Sequence, residues 1–519
     1  MHENLKYNLP EDDPQCRFIS QLTDQFRIKD APSRSEKLRF YDTFDWRLFN
    51  NSLVLYQSEN TFYLRKLAHH EIIDHLELNA PPSFAWNFPE SSLKERLVPI
   101  LKMRALMRLA EIHCRTRPYH ILNRDEKTVV RLVYEEIRPT RKKDAAALQT
   151  HLWLKPVRGY PKVATALAKA LETAGLRVCK SEDLFFSAMA VANKTPGSYS
   201  AKVGIQLDPA MRSDEAAKVI MRFLLEVMQV NAAHLAQDLD TEFLHDFRVA
   251  IRRTRSALGQ IKAIFPVRTT NRFKKDFALL GGLSNELRDL DVYLLNENTY
   301  KEMLPENLRN DIDPLFAHLR KKRSRAFQKV LRSLKTKKYA RILQDWEKFL
   351  NLAQRADSSA VNAGLPVIVL ARKRIFKRYR SIVKTGSRVL ENTEDEMLHA
   401  LRIECKKLRY LLEFFSSLFP RKKVDTLIGQ LKKLQDNLGD FNDLCVQEEY
   451  LLNISRELPA ARYETKMAQV AIGSLIGMLA LKRKKVKDAF AKAFTDFTAP
   501  PNRQLFKKLF DSRIQKVAS

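Results

Sequence analysis

Histidine, arginine and lysine recur at one spacing in two places along this chain. The segment His245-Asp246-Phe247-Arg248-Val249-Ala250-Ile251-Arg252-Arg253-Thr254-Arg255 is echoed by His399-Ala400-Leu401-Arg402-Ile403-Glu404-Cys405-Lys406-Lys407-Leu408-Arg409. Each copy has His first, Arg three on, Lys or Arg seven and eight on, and Arg ten on. At about 100° per residue, the first, +3, +7 and +10 positions fall within an arc of roughly 80°. Each copy therefore reads as one helix with a cationic stripe along one face. Arginine offers a planar fork to phosphate oxygens, and lysine offers a point charge. Histidine adds a donor whose charge changes near neutral pH. One such stripe would be an ordinary solvated face. Two in matched phase, each opposite an apolar face, read as a surface for a polyanion. Phe265-Pro266 and Phe419-Pro420 follow the two copies at equal distance and are expected to close them, because proline cannot continue a helix.

The repetition extends further. Residues 283–291 (Leu-Ser-Asn-Glu-Leu-Arg-Asp-Leu-Asp) pair with 434–442 (Leu-Gln-Asp-Asn-Leu-Gly-Asp-Phe-Asn). Arg320-Lys321-Lys322, followed by Ala326-Phe327-Gln328-Lys329, pairs with Arg483-Lys484-Lys485 and Ala489-Phe490-Ala491-Lys492. Three matched segments in one order indicate a duplicated four-helix unit. From Ser213 onward the apolar periodicity is helical throughout, with Ser213-Asp214-Glu215 as the expected first cap. Eight helices are expected, four before residues 357–364 and four after. Asp289 and Asp440 are expected to orient neighbouring cations rather than to hold a metal. Residues 319–343 carry eleven Lys/Arg and no acid, and residues 372–380 are also acid-free. Arg325 and Lys329 from the first segment, and Lys373 and Lys377 from the second, are expected to extend the binding surface.

The whole chain has 91 Lys+Arg against 61 Asp+Glu, a formal charge of +30 over 519 residues. Residues 1–200 hold 31 basic and 24 acidic residues, so the helical remainder carries +23. Such a field selects an acidic partner. Five scattered cysteines without a CxxC pair fit a reducing compartment, and the acidic N-terminus has no secretory pattern. The apolar run 470–481 is too short to span a bilayer and reads as a buried helix, so no membrane insertion is expected.

Residues 1–200 mix short β-like runs (52–56, 61–67, 71–78, 119–122, 128–135) with a helix near 163–174. This reads as an antiparallel α+β domain over 1–191, followed by a Pro/Gly/Ser-bearing linker at 192–212 and a helical domain over 213–510.

The repeated H-x-x-R-x-x-x-[RK]-[RK]-x-R helices, with Leu-Arg-Asp-Leu-Asp after the first, resemble the CHAD domain, the conserved-histidine α-helical domain. The resemblance implies two four-helix bundles, related by pseudo-twofold symmetry, around a basic groove that binds inorganic polyphosphate. The implied binding residues are His245, Arg248, Arg252, Arg253, Arg255, His399, Arg402, Lys406, Lys407 and Arg409. Gly439 stands where the first repeat has Arg288. Residues 1–200 resemble a degenerate CYTH domain, the triphosphate tunnel barrel. Phe40-Tyr41-Asp42-Thr43-Phe44-Asp45-Trp46-Arg47-Leu48 is similar to its Tyr-x-Asp-Thr-x-Asp-x-x-Leu signature, and Phe62-Tyr63-Leu64-Arg65-Lys66 to its basic strand. That family holds its metal on a Glu-x-Glu-x-Lys first strand. The candidate strand here, 16–22, has no acid, and His151 and Lys155 stand where late carboxylates are expected. No catalytic residue, metal or cofactor is therefore expected.

The expectation is a non-catalytic, cytoplasmic polyphosphate-binding protein, at polyphosphate granules or scaffolding enzymes of polyphosphate metabolism. A CYTH-type metal-dependent triphosphatase or cyclase is the enzyme alternative. Charge-driven nucleic-acid binding is the other, although the stripes lack interleaved aromatic residues for base stacking.

Overall fold

A computed structural model describes residues 4–9, 17–68, 71–140, 149–178, 184–353, 358–458 and 463–511. The chain divides into two compact units, 1–200 and 201–519.

Alternating polar and apolar residues build the first unit as one antiparallel sheet. Its strands are β1 (Leu5–Asn8), β2 (Arg27–Asp30), β3 (Arg34–Asp42), β4 (Leu53–Ser58), β5 (Thr61–Lys66), β6 (Ile72–Glu77), β7 (Met107–Leu122), β8 (Thr128–Pro139), β9 (Gln149–Pro156) and β10 (Arg177–Val178). The order is β10-β1-β9-β8-β7-β3-β4-β5-β6, with β2 also on β7. Helices α1 (Arg17–Leu22), α2 (Ser92–Leu101), α3 (Pro161–Thr173) and α4 (Leu184–Val191) complete the unit.

Two expectations are corrected here. Residues 17–22 are helical rather than a strand, and Cys16 lies outside the described residues. The first strand is β1, paired with β10 and β9, where Tyr7 is fully buried and Lys6 nearly so. Nor is the sheet a closed barrel, because among the described residues no pairing joins β6 to β10. It curls instead: Lys6 on β1 and Arg65 on β5, far apart in strand order, line one cavity of about 1010 Å³. Period 2 decides which cations enter it. Arg65 and Lys155 line it and Arg131, the cross-strand partner of Lys155, shares their face, whereas Arg115 and Arg117 lie on the outer face. The signature Asp42 is a structural knot: buried, it accepts N–H bonds from Thr43, Leu48 and Phe49.

The second unit is all helical. Its first part comprises α5 (Ser213–Leu235), α6 (Glu242–Gln260), α7 (Val267–Gly282), α8 (Asn285–Leu295), α9 (Glu297–Met303), α10 (Asp313–Leu334) and α11 (Lys337–Asn351). The later part comprises α12 (Val367–Glu391), α13 (Asp395–Phe414), α14 (Arg421–Glu457), α15 (Tyr463–Asp488), α16 (Phe490–Phe497) and α17 (Pro500–Phe510). Thirteen described helices replace the eight expected, because several expected helices are broken. The segment 283–291 starts a new helix after Gly281-Gly282, whereas its counterpart 434–442 lies inside the unbroken 37-residue α14. The match at 483–492 straddles the break between α15 and α16.

Prolines 266 and 420 precede the next helices α7 and α14; the stripe helices themselves end earlier, at Gln260 and Phe414. Ser213 does not cap α5. Its hydroxyl donates to the Leu365 carbonyl. The later half of the expected linker belongs to this unit: Leu207 is buried in its core, and its N–H donates to Ser417 Oγ. The run 470–481 buries Ala471, Ile472, Leu475 and Leu479 but exposes Val470 and Leu481, so it is amphipathic rather than wholly buried. No described helix is long and apolar enough to cross a membrane.

Candidate anion-binding site

Helices α6 and α13 pack against each other, each burying its apolar stripe: Phe247, Ala250 and Ile251 on one, Leu401, Cys405 and Leu408 on the other. Their cationic stripes divide into two sets by the partners they meet. The +3 and +7 residues of the two copies, Arg248 and Arg252 with Arg402 and Lys406, form one electrostatic cluster. Burial pushes the Arg248 guanidinium down to about 10, and Arg252 pushes the same way against the nearby Asp289. Arg402 is lowered by burial and by Arg252 from the facing helix, with Asp443 opposing. Burial pushes the Lys406 ammonium down to about 8, helped by Arg402 and Arg252. Cations that lower one another are held closer than their charges favour, which a bound anion would relieve.

Neighbours fix the geometry. Arg248 Nη1 donates to Ser284 Oγ at 3.1 Å and Asn285 Oδ1 at 2.8 Å, both at the start of α8. Arg402 Nη2 donates to Asp443 Oδ1 at 3.0 Å, on α14. His399 Nδ1 lies 2.6 Å from Asn442 Oδ1. Asp289 faces Arg248 and Arg288, as an orienting carboxylate should. Asp440 does not take that part in the second half: its charged surroundings are Asp436, Asp443 and Lys482. The orienting groups there are Asn442 and Asp443, one of which corresponds to Asp291 and the other to apolar Val292, so the repeat alignment does not reveal them. Arg288 adds an unmatched cation. It is lowered chiefly by burial, and its Nη1 is buried without a hydrogen bond.

The +8 and +10 residues serve other ends. Arg253 donates to the Ala201 carbonyl at 2.9 Å and to Glu413 Oε2 at 2.8 Å, tying α6 to α13. Arg409 donates to Glu413 Oε1 at 2.7 Å, and Lys407 to Glu404 Oε1 at 2.8 Å. Arg255 is exposed, and His245 is half-buried in the first turn of α6. Arg325 is exposed on α10, and Lys329 lies 3.6 Å from Glu286. Lys373 and Lys377 line a separate pocket on α12.

In the first unit, the curled sheet encloses a different chemistry. Lys6 and Lys155 sit 5.0 and 5.7 Å from the Trp153 ring. Glu135 accepts from Trp153 Nε1 at 3.1 Å. Burial works to raise Glu135, but His151, Trp153 and Lys6 together hold it below the usual carboxylate range. Glu36, the other lining carboxylate, accepts from Ser58 Oγ. Neither Glu36 nor Glu135 stands out by motif. Each lies on a strand whose inward phase is visible only once its neighbours are placed. Among the described residues no three His, Cys, Asp or Glu side chains are grouped to hold a metal ion.

Residues 219–452 match the CHAD domain family. An uncharacterized protein from each of two Mycobacterium tuberculosis strains is 24% identical over 214 residues, which is 40% of this chain and 40% of each relative. The match thus spans well under half of those relatives' length. Among solved structures, the CHAD domain from the plant Ricinus communis is 25% identical with a TM-score of 0.49, covering 57% of this chain and 96% of that one. PptA from Streptomyces chartreusis is 14% identical with a TM-score of 0.42, covering 55% and 99%. A putative adenylyl cyclase from Hippeastrum, described as having a dominant triphosphatase activity, is 14% identical with a TM-score of 0.26, covering 38% and 99%.

Proposed function

We propose that the CHAD domain carried by this chain binds inorganic polyphosphate between α6 and α13, by charge neutralisation and without catalysis. One observation carries the reading. Arg248, Arg402 and Lys406 come from two repeated helices, and all three lie close enough to Arg252 for its charge to lower them. A polyphosphate chain presents a negative charge at each phosphate, so it can satisfy several such cations at once and release their counterions. Arg288 extends the cluster on the α8 side. The matching position, Gly439, leaves the second half with Asp443 beside Arg402, so the two halves grip unequally. The pseudo-twofold pair of four-helix bundles is part of this proposal: it would bring the +3 and +7 residues of both repeats to one groove.

The first unit is proposed to be non-catalytic. Its cavity mixes three cations with two carboxylates, and those carboxylates are engaged by Ser58 and Trp153 rather than grouped for a divalent ion. The cellular setting we propose is cytoplasmic polyphosphate, at granules or beside the enzymes that make and degrade it. The test is direct binding of the full chain to long-chain polyphosphate by calorimetry, beside an assay for tripolyphosphate hydrolysis with Mg²⁺ or Mn²⁺. Micromolar or tighter binding without turnover supports the reading. Absent binding, or metal-dependent turnover that co-purifies with the chain, overturns it.

A further inference from the structure

Charge alone groups the cations of α12 with the groove. They line a concavity of about 650 Å³ bounded by α12, the end of α6 and the end of α17. Lys373, Lys377, Arg380 and Lys384 recur every three or four residues, which places them within roughly 60° on one helical face. The opposite face buries Ile375, Tyr379 and Ile382 in the core. Arg374 flanks the stripe and donates to the Lys262 carbonyl at 3.1 Å, which brings Lys262 to the same pocket. Against these cations the lining holds one acid, Asp511. Among the described residues, the only lining cation with an ion-pair partner is Arg378, which bonds Glu404 and Gln260.

That Glu404 contact also places the pocket. Glu404 follows Arg402 by two residues and precedes Lys406 by two. It therefore projects roughly 160–200° around α13 from both. The groove residues and the α12 pocket occupy opposite sides of α13.

We propose that the α12 pocket is a second binding site for condensed phosphate, so that one chain holds two phosphate segments and can bridge polyphosphate strands. This rests on the groove reading for its ligand, but not for its residues. A pocket dense in cations, with little carboxylate to neutralise them, repels itself unless an anion fills it. A linear phosphate chain suits a stripe of this kind better than a single ion, because it carries charge at a repeat that several lysines can follow. Two sites on one unit convert binding of a long chain into cross-linking, through the raised effective concentration of the second contact.

The test uses the full chain. Calorimetry with tripolyphosphate, too short to bridge, should give two sites per chain. Lys373→Glu/Lys377→Glu should remove one site, weakening it at least tenfold, and Arg252→Glu/Lys406→Glu should remove the other. The milder Lys373→Gln/Lys377→Gln variant, with an unchanged melting temperature, guards against misfolding. With long-chain polyphosphate, the wild type should raise light scattering near equivalence, whereas either single-site variant should bind without doing so. One site in the wild type, abolished only by the groove variant, overturns the second site and leaves the groove reading intact. Loss of both sites in the groove variant also overturns it. Binding of single-stranded RNA but not tripolyphosphate at the pocket would reassign it to nucleic acid and overturn the proposal. No tripolyphosphate binding anywhere defeats the groove reading and this one together.

Discussion

At the residue scale, the arrangement separates cations gathered at the groove from cations that tie the helices together. Arg248→Glu/Arg252→Glu and Arg402→Glu/Lys406→Glu should each weaken polyphosphate binding by roughly tenfold or more, about 1.4 kcal/mol. Arg421→Glu, whose side chain is 94% exposed, should change it little. Fluorescence titration of the three proteins distinguishes a two-sided groove from one active stripe. Arg253 should behave otherwise. Arg253→Met removes its bonds to Ala201 and Glu413 and should cost ~1–3 kcal/mol of stability by denaturant unfolding, with a smaller effect on affinity. A larger loss of affinity than of stability would return Arg253 to the binding set.

Lys406 supplies a pH signature. Its ammonium loses its proton near pH 8 in the free protein, held down first by burial and then by Arg402 and Arg252. A bound anion favours the charged form, so binding above about pH 8 must take up a proton. Affinity should be level below that pH and fall as pH rises past it. Lys406→Arg should flatten the fall, because arginine stays charged. The same depressed value has the opposite sign for stability. Between about 8 and the ordinary lysine range the unfolded chain binds more protons, so folding stability rises with pH in that window. Parallel affinity profiles for wild type and Lys406→Arg would contradict this placement of Lys406.

At the scale of elements, packing between helices decides what a sequence pattern can and cannot disclose. Gly386 on α12 lies against the ring of Phe494 on α16, with no room for a Cβ. Alanine would be the better helix former by about 1 kcal/mol, yet overpacking a buried ring costs about 1–3 kcal/mol. Gly386→Ala should therefore lower the melting temperature; an unchanged or raised value would mean that α16 shifts freely. Nothing in the sequence around Gly386 announces this contact, because it depends on how two distant helices meet. The stripe helices were legible for the opposite reason: period 3.6 and a repeated motif are local. The partition was legible only in part: Glu404 with Lys407 and Glu413 with Arg409 are local pairs on α13, whereas Glu413 meets Arg253 only after α6 and α13 are packed. The first unit shows the same limit. Its strands at 53–58, 61–66 and 72–77 follow readable alternation, but β7 runs from Met107 because His113, Arg115 and Arg117 mark an exposed face rather than a loop. The six-residue run 17–22 was too short for its apolar residues to distinguish helix from strand.

At the scale of the whole molecule, a formal charge of +30 guarantees some affinity for any polyanion, so affinity alone is a weak test. The proposal goes beyond attraction: rigid helices hold spaced cations for a flexible, densely charged chain. The most direct test is competition at about 0.15 M salt, with the full chain bound to long-chain polyphosphate and challenged by single-stranded RNA at equal phosphate concentration. The account predicts that polyphosphate holds the protein against RNA, that log affinity falls steeply with log salt, and that the Arg252→Glu/Lys406→Glu variant loses this preference. Displacement by RNA on equal terms, or a preference that survives in the variant, would contradict it.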